Sequence, residues 1–201
     1  MIIAIKGGVG AKSRLAGVLP PRIRARLVRM MLQHVVSTVQ AAGGVGEILL
    51  VSGDAREYSC DAVAVRDASQ GLSIAFETGA RVATARGHRT AVLLPADLPM
   101  LAPADLEALL RVGHAAKTAI APNRAGDGTN AMYVPLELPV RLAFGARSYA
   151  KHLSALVHAG FTPGIVTRRG FAMDIDEVPD LDLLRGRQQY DFLGLPKRLP
   201  A

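Results

Sequence analysis

Short apolar runs alternate along the chain with longer stretches in which apolar residues recur every three or four positions. This alternation predicts an α/β domain with a mostly parallel sheet. The runs predict eight strands, at 2–6, 47–52, 62–66, 91–95, 118–122, 129–134, 162–166 and 171–175. The helical periods predict five helices, at 21–42, 72–85, 103–112, 148–159 and 177–189.

The chain of 201 residues shows no internal repeat, low-complexity tract or interdomain linker. We therefore predict one domain over residues 1–189, followed by a C-terminal tail over residues 190–201 that is rich in proline and basic residues. The N-terminal apolar run is too short for a signal peptide, and no run is long enough to span a membrane. These features predict a cytoplasmic protein without a membrane partner.

Charge narrows the range of partners. Lys and Arg number 24 and Asp and Glu 17, which gives a formal net charge of +7 and favours nucleotides, phosphorylated metabolites, nucleic acid or acidic lipid. Nucleic acid is the weakest of these alternatives, because the chain has no Trp, few other aromatic residues and no recognition motif. A single cysteine, Cys60, excludes an internal disulfide and a structural zinc site.

The segment that follows the first predicted strand is suited to phosphate. It contains three glycines and three cations, Lys6, Lys12 and Arg14. Glycine lets backbone N–H groups approach an anion, and the cations can neutralise a triphosphate. A P-loop ATPase is an alternative, but that motif needs glycines at the positions of Lys6 and Ala11. A flexible surface turn is the other alternative.

Three aspartates are candidate metal ligands. Asp97 follows an apolar strand and lies between two prolines, which predicts that it projects at the carboxyl end of the sheet. Asp174 and Asp176 alternate with apolar residues, which places both on one face of the predicted last strand. Their oxygen ligands suit Mg²⁺. The alternatives are a loop-capping role for Asp97 and an N-cap role for Asp176 at the helix predicted from residue 177.

Together, these segments resemble the motifs of a known enzyme family. The chain resembles the 2-phospho-lactate guanylyltransferase family over about residues 2–185, in motifs that occur in the family's order. The motifs are Lys6 with Ala11-Lys12-Ser13-Arg14-Leu15, Pro95-Ala96-Asp97-Leu98-Pro99, Gly126-Asp127-Gly128-Thr129-Asn130, Phe144-Gly145 with Ser148, and Asp174-Ile175-Asp176. The resemblance implies a three-layer α/β sandwich of the nucleotide-diphospho-sugar-transferase (MobA-like) type.

The resemblance also implies an activity. Family members join GTP to 2-phospho-lactate, phosphoenolpyruvate or 3-phosphoglycerate, depending on the member, release pyrophosphate, and act in biosynthesis of the deazaflavin coenzyme F-420. The implied catalytic residues are Lys12, Arg14 and Asp97. The implied nucleotide site comprises Lys6, Gly7, Gly8, Lys12, Arg14, Gly71, Ser73 and Asp97. The implied phosphorylated-acid site comprises Thr129, Gly145, Ser148 and His152. The implied magnesium site comprises Asp97, Asp174 and Asp176.

Departures from the family pattern leave some points open. Ser73 stands where the family generally has an amide near the guanosine, so selectivity for GTP over ATP is less secure than phosphate binding. Lys151 replaces a common Arg and loses its bidentate fork. A molybdopterin guanylyltransferase of the same fold is the nearest alternative function. Family members are often dimers, so a homodimer is one arrangement that the resemblance suggests.

Overall fold

The computed structural model describes residues 1–5, 11–53, 58, 60–68, 71–138 and 140–195. Within these residues seven strands form one sheet. They are β1 (Ile2–Ala4), β2 (Leu49–Ser52), β3 (Val63–Arg66), β4 (Thr90–Pro95), β5 (Ala119–Pro122), β6 (Thr129–Pro135) and β7 (Gly164–Ile165). Their spatial order is β3-β2-β1-β4-β6-β5-β7.

Only β6 runs against its neighbours in this sheet. It pairs antiparallel with both β4 and β5, whereas the other pairs are parallel. Leu93 of β4 lies opposite Met132 of β6, so the first residues of β6 reach the edge at which β4 ends. Two loops therefore open at the same edge of the sheet, one after β4 and one before β6.

The helices cover both faces of the sheet. They are α1 (Pro21–Ala41), α2 (Leu72–Ala85), α3 (Pro103–Ala116), α4 (Ser148–His158) and α5 (Arg169–Ala172). One core cluster joins Ile3 of β1 to α1 and α3, and the other joins its neighbour Ile2 to α2 and α4. Successive strand residues thus point into opposite layers. The predicted three-layer sandwich with a mostly parallel sheet is confirmed.

Helix α3 is longer than predicted. The sequence prediction ended it at residue 112, yet the helix continues through Gly113 to Ala116. A Cβ at Gly113 would lie 2.3 Å from Cγ of Tyr133. The glycine therefore permits close packing of the helix on β6 rather than ending the helix.

Two predictions for the C-terminal region, a strand and a helix, are wrong. Residues 171–175 form no strand, because α5 takes up residues 169–172. The single helix predicted over 177–189 is instead two 3-10 helices, Val178–Leu184 and Gln188–Leu193, separated at Gly186 with a φ of 69°. Residues 190–193, assigned to the tail, pack on α1, and Tyr190 is only 2% exposed. In the described part of the chain, no helix is long and apolar enough to cross a membrane.

Candidate active site

A cavity of about 560 Å³ opens at the edge of the sheet where β4 ends and β6 begins. Parallel strands of an α/β sheet commonly present their carboxyl ends to a ligand. Most of the site residues predicted from the sequence line this cavity. They are Lys12, Arg14, Asp97, Thr129, Gly145, Ser148, Asp174 and Asp176.

Lys12 connects two of the predicted acidic residues. Its Nζ donates to Asp97 Oδ2 at 2.6 Å and to Asp176 Oδ1 at 2.9 Å, and its side chain is 10% exposed. Burial disfavours the ammonium charge, but the charges of Asp97 and Asp176 outweigh burial and hold the pKa of Lys12 above its usual value. Lys12 is therefore a permanent cation on the cavity wall.

The backbone at Lys12 is left-handed, with a φ of 51°. A residue with a Cβ adopts this conformation at a cost, and such strain is typical of functional sites. The Lys12 carbonyl accepts from the N–H of Leu15 at 2.9 Å, at the start of the 3-10 helix Ser13–Leu15. A P-loop leads directly into an α-helix, whereas here α1 begins only at Pro21, which disfavours that alternative.

Asp174 is held by a residue that the sequence prediction did not assign to the site. Asn130 Nδ2 donates to the Phe171 carbonyl at 2.7 Å and to Asp174 Oδ1 at 3.2 Å. Burial, reinforced by the charge of Asp97, raises the pKa of Asp174 to about 6 against the weaker effect of the Asn130 hydrogen bond. The position of Asn130 directly after Thr129 in the Gly126–Asn130 motif was the available signal.

Two expectations for the aspartates are corrected. Asp174 and Asp176 line the same cavity although they do not lie on a strand. Asp176 is not the N-cap of the following helix, because that helix begins at Val178 and its N-cap is Glu177. Asp180 Oδ2 accepts the N–H groups of Asp176 at 2.9 Å and Glu177 at 2.7 Å. Among the described residues, no three His, Cys, Asp or Glu side chains converge closely enough to hold a metal ion, and Lys12 bridges two of the carboxylates instead.

A second part of the cavity wall carries hydroxyl groups. Ser148, the first residue of α4, accepts the N–H of Thr129 at 2.9 Å through its Oγ. His152 Nδ1 lies 3.0 Å from Thr129 Oγ1, and His152 Nε2 accepts the N–H of Ala143 at 2.8 Å. Burial, with a smaller effect of Lys151, lowers the pKa of His152 to about 4, so its ring is neutral at neutral pH.

Ser73 joins the start of α2 to this wall. Its Oγ accepts the N–H of Phe144 at 2.9 Å, directly before Gly145 with a φ of 115°. Gly71, with a φ of 105°, is the N-cap of α2, and the next residue, Leu72, lines the cavity. Phe144 also lines the cavity, although the sequence prediction used it only as part of a motif.

The remaining predicted positions differ in what the structure describes. Arg14 lies at the exposed mouth of the cavity, where its Nη1 is 3.2 Å from Glu177 Oε1. Lys6, Gly7 and Gly8 lie outside the described residues. The roles assigned to all of these residues stay predictions.

Comparison with known proteins identifies a family. The family described as "Guanylyl transferase CofC like" matches residues 1–193. A phosphoenolpyruvate guanylyltransferase of Rubrobacter xylanophilus is 36% identical over 94% of this chain and 95% of its own. A 3-phospho-D-glycerate guanylyltransferase of Phenylobacterium zucineum is 32% identical (92% and 89% covered), and a 2-phospho-L-lactate guanylyltransferase of Halorubrum lacusprofundi is 34% identical (85% and 76% covered).

Solved structures agree on the fold. A crystal structure of a nucleotide-diphospho-sugar transferase from Desulfovibrio desulfuricans G20 superposes with a TM-score of 0.76 at 16% identity. The match covers 96% of this chain and 93% of the other. At that identity the likeness supports the fold and not the substrate.

Proposed function

We propose that this chain, which belongs to the CofC-like guanylyl transferase family, transfers GMP from GTP to a small phosphorylated carboxylic acid in coenzyme F-420 biosynthesis. The observation that carries this proposal is one cavity lined by two different sets of groups. Lys12 and the three aspartates form one part of its wall, and Thr129, Gly145 and Ser148 form a second part. Such a site can hold a nucleotide triphosphate beside a second anion.

Phosphoenolpyruvate is the first acid to test. The relative at 36% identity carries that name, whereas the relatives named for 3-phospho-D-glycerate and 2-phospho-L-lactate are 32% and 34% identical. These identities are too similar to separate the three acids. All three present a phosphate and a carboxylate, which is the chemistry that the hydroxyl and backbone N–H groups of the second part of the wall suit.

The reaction needs no nucleophile from the protein. An ionised phosphate oxygen of the acid attacks the α-phosphorus of GTP, and a new phosphorus–oxygen bond forms. The bond from that phosphorus to the oxygen bridging to the β-phosphorus breaks, and its electron pair leaves with pyrophosphate. Because the attacking oxygen is already ionised at neutral pH, a general base is unnecessary.

Repulsion among anions is the main obstacle, and the cations of the chain oppose it. Lys12 stays charged throughout, and Arg14 at the cavity mouth can reach a departing pyrophosphate. In the second part of the wall, the Thr129 and Ser148 hydroxyl groups and the Gly145 N–H would orient the acid. Ser148 opens α4, and the N-terminus of a helix favours an anion.

The aspartates are chemically suited to magnesium. Asp97, Asp174 and Asp176 supply hard carboxylate oxygens, and the raised pKa of Asp174 records burial and a negative neighbour, which a bound cation would relieve. The three carboxylates do not converge while Lys12 bridges Asp97 and Asp176, so they would hold the ion only together with triphosphate oxygens and after the ion has displaced the Lys12 ammonium group. When bound, Mg²⁺ would neutralise charge on the triphosphate. Chelation should therefore abolish turnover and added Mg²⁺ restore it, whereas an unchanged rate after chelation would contradict a magnesium requirement.

Pyrophosphate release tests the function directly. Purified protein is incubated with GTP and Mg²⁺ and with phosphoenolpyruvate, 3-phosphoglycerate or 2-phospho-lactate separately. ATP replaces GTP in one control, and the acid is omitted in another. Release that requires GTP and one acid supports the proposal and identifies the substrate. The absence of pyrophosphate release with all three acids, or pyrophosphate release without an acid, contradicts the proposal.

A further inference from the structure

His152 lies fully buried between two parts of the cavity wall and has a defined hydrogen-bond role at each ring nitrogen. Nε2 lies 2.8 Å from the backbone nitrogen of Ala143, and Nδ1 lies 3.0 Å from Thr129 Oγ1. A backbone N–H can only donate, so Nε2 accepts and carries no hydrogen. The single hydrogen of the neutral ring is therefore on Nδ1, which donates it to Thr129 Oγ1.

The polarity of two hydroxyl groups follows from these contacts, that of Thr129 from the His152 tautomer and that of Ser148 from the backbone N–H of Thr129. Thr129 Oγ1 accepts from His152, and Ser148 Oγ accepts from the Thr129 N–H. Among the residues that the structure describes, no protein acceptor takes the hydrogen of either hydroxyl. Thr129 and Ser148 both line the cavity, so each can donate its own hydrogen to a bound molecule.

The same ring also holds the neighbouring loop. The N–H groups of Ala143 and Phe144 are bound by His152 and Ser73, at 2.8 Å and 2.9 Å. The rings of Phe144 and His152 pack edge to face with centroids 4.7 Å apart. These contacts fix the loop immediately before Gly145, which lines the same cavity as Thr129 and Ser148.

We propose that His152 is a positioning residue that keeps the hydroxyl group of Thr129 as a hydrogen-bond donor toward the cavity, beside the hydroxyl group of Ser148, so that this part of the cavity wall selects an oxyanion. The inference rests on the proposed function and deepens it, because it assigns the phosphate of the acid to this wall. An imidazolium ring would lose the Ala143 contact. In the Nε2–H tautomer, Thr129 Oγ1 would donate its hydrogen to Nδ1 and could only accept from a bound molecule.

Two substitutions separate the contacts of His152. In His152→Asn the amide nitrogen stands near Nδ1 and can still donate to Thr129. In His152→Gln the amide oxygen stands near Nε2 and can still accept from Ala143, but the donor to Thr129 is lost. We expect His152→Gln to raise KM for the acid about tenfold while KM for GTP changes less than about twofold. His152→Asn should raise KM for the acid less than His152→Gln does.

His158→Gln is the matched control, because His158 is an exposed histidine of the same helix. It should leave both KM values unchanged. Equal increases in both KM values for His152→Gln, or an unchanged KM for the acid, would overturn the proposal.

A second measurement needs no turnover and no variant. Two-bond ¹H–¹⁵N correlation spectra of histidine-labelled wild-type protein distinguish the two neutral tautomers and the imidazolium. We expect the Nδ1–H form for His152 at neutral pH, and either other form would refute the proposal. If the protein shows this tautomer but no pyrophosphate release, the proposed reaction fails while the donor arrangement stands.

Discussion

The ammonium group of Lys12 lies 2.6 Å from Asp97 Oδ2. This contact joins the segment suited to phosphate, which contains Lys12, to the loop that follows β4. Asp97 therefore has a cationic partner before any substrate binds. A divalent cation that takes the same carboxylate must compete with this ammonium group. Displacement from Asp97 would leave Lys12 available for the phosphates of GTP.

Removal of the Lys12 charge should separate metal binding from catalysis. In Lys12→Met the competitor for Asp97 and Asp176 is gone, so Mn²⁺, used as a probe for Mg²⁺, should bind about tenfold more tightly, as expected from the loss of a charged hydrogen bond. The kcat should fall at least about 100-fold, because the cation facing the leaving group is lost.

Calorimetric titration with Mn²⁺ measures the affinity for the metal, and the rate of pyrophosphate release measures kcat. Lys117→Met is the control, since Lys117 is an exposed lysine at the end of α3. Unchanged or weaker Mn²⁺ binding in Lys12→Met would show that Lys12 does not compete with the metal.

Asp97→Asn should remove turnover and leave the fold intact. The side chain of Asp97 is 28% exposed, so its amide replacement keeps the shape of the site and loses only the charge. We expect kcat to fall about 1000-fold and the free energy of unfolding to fall by no more than about 1–3 kcal/mol, because the charged hydrogen bond from Lys12 is weakened while Asp176 still accepts from it. Asp61→Asn is the control, because Asp61 is exposed and its Oδ2 accepts a hydrogen bond only from Gln40 Nε2, at 3.3 Å, among the contacts of the described residues. A folded Asp97→Asn protein with a near-wild-type rate would remove Asp97 from the mechanism.

The sequence predicts the long elements well and the short ones poorly. The prediction of 21–42 for α1 differs by one residue from Pro21–Ala41, and 72–85 for α2 is met, because several turns of apolar period define each buried face. The 3-10 helices near the C-terminus have no such period. Their boundaries depend on local hydrogen bonds to the Asp180 carboxylate and on the positive φ of Gly186, which hydrophobic periodicity does not encode.

The same limit applies to the site. Motif order brings Lys12, Asp97 and Thr129 to one cavity, as predicted. The sequence could not show that Lys12 reaches across 85 positions to Asp97, or that Asn130 reaches across 44 positions to Asp174. These contacts depend on side-chain rotamers and on the antiparallel course of β6, which periodicity does not encode.

Gly79→Ala tests how closely α2 packs on the sheet. A Cβ at Gly79 would lie 2.5 Å from Ile2 Cγ2 and 2.9 Å from Val51 Cγ2, so the helix must shift away from β1 and β2. Overpacking of this kind costs about 1–3 kcal/mol, partly offset by the better helix propensity of Ala. Denaturant unfolding measures the loss. Gly46→Ala, where a Cβ would meet nothing within 4 Å, should stay close to wild type, and equal stability of both variants would contradict the packing.

Acid should destabilise the fold through His152. Its pKa falls from an ordinary 6.5 to about 4 in the folded protein because the buried ring resists charge. Above pH 6.5 the ring is neutral in both the folded and the unfolded chain, so it adds no pH dependence there. As pH falls from 6.5 to 4, the unfolded chain binds the proton first, and stability decreases by up to about 3 kcal/mol.

Comparison with His152→Gln isolates this contribution from other titrating groups. The variant lacks the ring, so its free energy of unfolding should decline less than that of the wild type over the same acid range. The difference between the two curves should be constant above pH 6.5 and should change as pH falls toward 4. Parallel curves over that range would show that His152 takes up its proton equally well in the folded chain, and its ring would then not be the neutral partner that both Ala143 and Thr129 require.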